Sequence, residues 1–182
     1  MYAMRIKSLL LLLAMMHYLN VMADKEMIEE KIGEALGLEK AAQKAVEELD
    51  SRGLLKPEHM KRLSKMKEEA SRQEQQMEEL VQQLTESDEL DSEKIESTAD
   101  ETAEKISKIM ETYLGEDPDT QEALEFLCLA EGGEVIHYEV LTSVAKEVKN
   151  RKFGTTVRAI LKEEQTHLQL CTKLAKTNAA AE

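Results

Sequence analysis

The 182-residue chain contains 7 Gly and 2 Pro, too few turn-formers for the repeated reversals of a sandwich, a barrel or a βαβ fold. Charged residues make up 34% of it, and 24 basic against 37 acidic residues leave a formal charge of −13; with no basic cluster and no aromatic interleaving, nucleic acid is not an expected partner. Apolar residues at 42% with only 3% aromatic are enough for one helical domain cored by Leu, Met, Ala and Val, and exclude disorder throughout.

At the amino end, Arg5 and Lys7 precede the apolar run Leu9 to Met16, which is too short to cross a bilayer as a helix. Val21-Met22-Ala23 resembles a small-residue cleavage site, so the layout is that of an export signal. An equal alternative is that Met22 is an ordinary start and the preceding residues are an upstream extension. The first reading places the protein outside the cytoplasm and the second inside it. Either way residues 1–23 stand apart from a helical bundle expected over 24–178, with a frayed tail at 179–182.

From Ile28 the apolar-type positions Ile28, Ile32, Ala35, Glu39, Ala42, Val46 and Leu49 step alternately by four and three, which predicts one face of a helix closed by Gly53. Pro57 opens a second helix, on which Leu63, Met66, Ala70, Gln73, Met77, Leu80 and Leu84 continue the alternation. The short link between them implies an antiparallel pair. Residues Thr85 to Ser97 read as an acidic connection, followed by a weaker amphipathic stretch carrying Ile95, Ala99, Ile106, Ile109 and Tyr113 and ended by Gly115. Asp117-Pro118 then reads as a cap and first-turn proline for a third main helix with the seam Ala123, Leu127, Ala130, Glu134, His137, Leu141, Val144 and Val148. Gly154 interrupts the pattern, Thr155 can cap, and a fourth stripe runs Ile160, Glu164, His167, Cys171 and Leu174. The expected class is all-α: a four-helix bundle whose long crossover, between helices 2 and 3, contains an auxiliary helix.

Cys128 and Cys171 are 43 residues apart on different stripes, with no metal or redox spacing. They are expected as core thiols, a single inter-helix disulfide being the alternative. Neither is a candidate nucleophile, and the one turn separating Cys171 from His167 reads as packing.

Chemistry enters through residues that violate the pattern. Glu39, Glu134, His137, Glu164 and His167 fall where apolar side chains are expected, and an unpaired ionised carboxylate in an apolar interior must be neutralised, paired or bound to a cation. Glu134-Val135-Ile136-His137 and Glu164-Gln165-Thr166-His167 each place a Glu and a His one turn apart on one face, so both can be directed at one ion. Glu39 lies at a similar depth on its own helix. The alternative is a metal-free Glu/His network that fixes helix register.

Two Glu-x-x-His motifs on bundle helices resemble those of the ferritin-like carboxylate proteins. Gly133-Glu134-Val135-Ile136-His137-Tyr138-Glu139 and Leu161-Lys162-Glu163-Glu164-Gln165-Thr166-His167 are similar to the third and fourth helices of rubrerythrin-like proteins, and closer still to the YciE/YciF-type (DUF892) family. The resemblance, over about residues 26–176, implies a ferritin-like bundle with Glu39, Glu134, His137, Glu164 and His167 as metal ligands. It implies one or two ions of Fe or Mn, Zn also being accommodated, and a role in peroxide or dioxygen chemistry or in iron and oxidative-stress handling. The second helix departs from the family: Ala70-Ser71-Arg72-Gln73 stands where a rubrerythrin-like protein carries another Glu-x-x-His. That departure favours one well-made position beside a partial one. Tyr138 and Glu139 are expected on the surface or between helices, with a supporting bond to a ligand as the alternative. Metal ions are the expected partners and a homodimer is allowed. The reading from a different class is a non-enzymatic helical interaction module.

Overall fold

The computed structural model describes residues 2–86, 90–148 and 150–181, with side chains from Lys25 onward; the side chains of the leader-like segment 1–23 lie outside the described residues. Five helices follow in order: α1 (Tyr2–Ser51), α2 (Pro57–Thr85), α3 (Ser92–Leu114), α4 (Thr120–Val144) and α5 (Arg151–Ala179). None is long and apolar enough to cross a membrane among the described residues.

Helices α1, α2, α5 and α4 form a closed ring of neighbours, and α3 lies outside it against α1. Cross-helix bonds give the directions. Gln43 reaches Glu74 while Glu47 meets Lys67, so α1 and α2 are antiparallel. Gln121 meets Asn178 while Glu131 meets His167, so α4 and α5 are antiparallel. Lys56 bonds Asn178 and Gln83 bonds Lys152, which sets α2 antiparallel to α5.

The expected seams of α1, α2 and α5 are all buried, from Ile28 to Leu49, Leu63 to Leu84 and Ile160 to Leu174. Helix α1 buries more than one stripe, adding Leu36, Leu38, Ala41 and Ala45, because three helices cover it. Its glycines allow the closest approach. A Cβ on Gly33 would stand 2.6 Å from Thr98 Cβ and 2.7 Å from the Ile95 carbonyl oxygen, and one on Gly37 would strike the Ala99 carbonyl. Buried Glu29 fixes the start of α3 on α1: it accepts the Asp91 N–H at 2.9 Å and faces Lys94 at 3.5 Å.

Several boundaries differ from expectation. Helix α3 begins at Ser92, inside the stretch assigned to the connection, because Asp91 accepts the N–H groups of Glu93 and Lys94 and caps it. Its buried face is Ile95, Ala99, Ala103, Met110 and Leu114, whereas Ile109 and Tyr113 are exposed. The side chains that meet the α1 glycines are those of Thr98 and Thr102. Helix α4 is capped by Asp119, not Asp117: Asp119 accepts the Glu122 N–H at 2.8 Å and Glu122 accepts the Asp119 N–H at 3.0 Å, a reciprocal pair that satisfies two end donors. Asn150 caps α5 by accepting from Phe153, leaving Gly154 and Thr155 inside the helix. At its far end α5 runs to Ala179, held by buried Asn178, which accepts from Lys56 and donates to Gln121. Both cysteines are free thiols.

The apolar core is divided in two. One part joins Ile28, Ile32, Met77, Leu80, Leu84, Leu141, Phe153, Val157 and Ile160, and the other joins Val46, Leu49, Leu63, Met66, Leu124, Leu127, Cys171 and Leu174. Between them, at a common depth of the four ring helices, lies a layer of buried polar groups: Glu39, Gln73, Glu131, Glu134, Glu164 and His167.

Candidate metal centre

Each ring helix supplies this layer from within its own seam, so the packing that forms the bundle also sets the depth of the polar groups. Among the described residues, two groups of three offer ligand atoms within 4.8 Å of one another: Glu39, Glu134 and Glu164, and Glu131, Glu164 and His167. Glu164 belongs to both. Every member is at most 4% exposed.

The polar atoms divide into those held from outside and those left without a hydrogen bond. Tyr138, fully buried, donates its hydroxyl to Glu39 Oε1 at 2.7 Å, while Glu39 Oε2 has no hydrogen-bond partner. His167 Nε2–H donates to Glu69 Oε2 at 3.0 Å, and its Nδ1 faces Glu164 Oε2 at 3.3 Å and Glu131 Oε2 at 3.8 Å. Glu131 Oε2 and Glu164 Oε1 are buried without hydrogen bonds, as is Gln73 Oε1. Leaving one such atom unsatisfied costs about 1–3 kcal/mol, and here four lie in one layer. An imidazole whose outer N–H rests on a carboxylate while its other nitrogen turns inward is the arrangement that orients a metal-binding histidine.

Electrostatics within the layer are strained when no cation is counted. Burial, then the neighbouring Glu164 charge, pushes Glu39 well above the usual carboxylate range, against the opposing Tyr138 bond. Burial and the charges of Glu131, Glu39 and Glu164 push Glu134 in the same direction. Glu131 rises to about 8 through burial and Glu164, with His167 opposing. Burial also works against ionised Glu164, but hydrogen bonds from His167 and Glu134 outweigh it and hold Glu164 below its ordinary value. His167 reaches about 9, because Glu164, Glu131 and Glu69 overcome the burial that lowers it. Without a cation, the layer is thus an imidazolium on ionised Glu164 surrounded by protonated carboxyls.

Of the residues expected from sequence, Glu39, Glu134, Glu164 and His167 meet in these two groups and His137 lies in neither. The His137 side chain is 37% exposed; Nδ1–H donates to the Gly133 carbonyl at 2.8 Å and Nε2 faces Glu34 at 3.7 Å. The buried stripe of α4 is Leu127, Glu131, Glu134, Tyr138 and Leu141, which shares Leu127, Glu134 and Leu141 with the expected seam but not Ala130 or His137. Between the shared positions, steps of three then four and of four then three are equally regular. Tyr138 supplies the bulk and Glu131 the partner for His167 that decide the choice. The signal for Glu131 was present in Glu131-Gly132-Gly133-Glu134, a second acid one turn from the first. Tyr138 is buried between helices, one of the two placements expected for it, and makes a supporting bond to Glu39.

No protein-family model, curated protein or solved structure matches the chain. What fold and site define together is an all-helical bundle interrupted at one depth by a buried carboxylate and imidazole layer.

Proposed function

We propose that the protein is a ferritin-like metal-binding bundle, with Glu39, Glu134 and Glu164 holding one cation and Glu131, Glu164 and His167 a second. The observation that carries this reading is the set of buried oxygens without hydrogen bonds on Glu39, Glu131 and Glu164, which a cation shared among them would satisfy together. Ring order and the common depth of the layer favour the ferritin-like assignment over an unrelated bundle.

An oxygen-rich set with one imidazole and no thiolate suits Fe or Mn, and accommodates Zn. A redox-active ion in it would supply electron transfer to peroxide or dioxygen, in keeping with a role in iron or oxidative-stress handling. The chain's own part is to hold Glu164 between the two positions, to orient His167 through Glu69 and Glu39 through Tyr138, and to keep bulk water out with the apolar cores above and below. His137 belongs to the rim in this reading.

A second reading, a metal-free Glu/His network in a helical interaction protein, draws on the Tyr138–Glu39 and His167–Glu69 bonds, which exist without an ion. Elemental analysis of protein purified without chelator separates the two. The metal reading expects up to two equivalents of Fe, Mn or Zn, and protein free of metal that takes none up on incubation would defeat it.

A further inference from the structure

We propose that Gln73 is a neutral oxygen ligand of the buried centre, oriented for that role by Glu163 and Arg72. The inference rests on the metal reading and assigns to α2 the ligand its sequence lacks.

Gln73 is fully buried on the seam of α2, and its amide N–H side acts on the Glu164 carboxylate, helping to hold it below its ordinary value. Its Nε2 donates to Glu163 Oε2 at 2.9 Å, and the same oxygen accepts from Arg72 Nη2 at 2.6 Å. Arg72 and Glu163 are both substantially exposed. The donor end of the amide is therefore tethered at the α2–α5 rim, while Oε1 stays in the dry interior without a partner. A buried amide with one end clamped and the other unsatisfied has the same pattern as Glu39 in this layer.

Charge explains why the oxygen is an amide's. Glu39, Glu131, Glu134 and Glu164 carry four negative charges when ionised, which two divalent cations cancel, and a neutral imidazole adds none. A carboxylate at position 73 would leave one charge uncompensated between two apolar cores. A carboxamide offers a carbonyl oxygen without that charge. The departure of Ala70-Ser71-Arg72-Gln73 from a Glu-x-x-His motif thus fits a centre whose acids are already matched.

The test uses the full chain stripped with chelator and titrated with Co(II), read by ligand-field absorption and by competition with a chromophoric chelator. Gln73→Leu is expected to weaken binding by about tenfold or more and to change the absorption bands. Glu163→Gln should weaken it less and keep the wild-type bands, because it disturbs only the orientation of the amide. Gln73→Glu, which keeps an oxygen donor, should recover the Co(II) stoichiometry while lowering the melting temperature of the stripped protein. Circular dichroism checks that each variant is folded. A Gln73→Leu protein with wild-type affinity and bands overturns this inference alone; a wild-type chain that takes up no Co(II) overturns the metal reading along with it.

Discussion

Glu164 is the residue on which the layer turns, since it is the one acid common to both ligand groups and, of the acids in those groups, the one held below its ordinary pKa. Its neighbours shift the other way, and this makes the metal-free protein sensitive to pH in a defined direction. Glu131 rises from 4.5 to about 8 and His167 from 6.5 to about 9 on folding. A raised folded value means that the native state binds more protons than the unfolded chain, so stability is fully present below the unfolded values and falls as pH climbs through the folded ones. Stripped protein should therefore lose denaturant stability between about pH 5 and pH 9, and Glu131→Gln should make that fall shallower. An equally steep fall in the variant would show that Glu131 does not titrate as its burial requires. Metal binding, which needs deprotonated ligands, should oppose the trend. At this scale the sequence was informative because a charge on an apolar stripe is conspicuous: Glu39, Glu134, Glu164 and His167 were legible from spacing alone. Glu131, Tyr138 and Glu69 were not, the first two because α4 admits two regular seams and the third because it reaches His167 from a neighbouring helix.

Helix ends and helix contacts are set by interactions that periodicity does not carry. The ends of α1 and α2 followed from Gly53 and Pro57, residues whose backbone preferences act locally: Gly53 adopts φ +70° and Pro57 opens α2. The starts of α3, α4 and α5 depend on which of several Asp and Asn side chains turns back onto its own helix, and Asp91, Asp119 and Asn150 each do so. The role of α3 was legible only in part, because Gly33 and Gly37 matter through what approaches them. Gly33→Ala places a methyl group against Thr98 and the Ile95 carbonyl, and overpacking of this kind costs about 1–3 kcal/mol. Chemical denaturation should show that loss with metal stoichiometry unchanged, since Thr98 and Ile95 are remote in function from the layer. An unchanged midpoint would mean that α3 does not sit tightly on α1.

Seen whole, the molecule is two apolar cores joined through a polar layer, and its stability should depend on what fills that layer. The all-helical class followed from composition, and the common depth of the acids from seams that place Glu39, Glu134 and Glu164 near the middle of the helices expected for them. How those seams close into a ring, and that α1 is covered from three sides, is not written in periodicity, because the pattern of one helix does not name its neighbours. Unpaired carboxyl groups between the cores weaken the metal-free fold, whereas ions bound only by the native state stabilise it by mass action. The most direct test is thermal unfolding of chelator-stripped protein with increasing Mn(II) or Fe(II), beside Glu164→Gln. The account predicts that the wild-type melting temperature climbs with metal concentration and that the variant's does not; a wild-type melting temperature indifferent to Fe, Mn and Zn would contradict it.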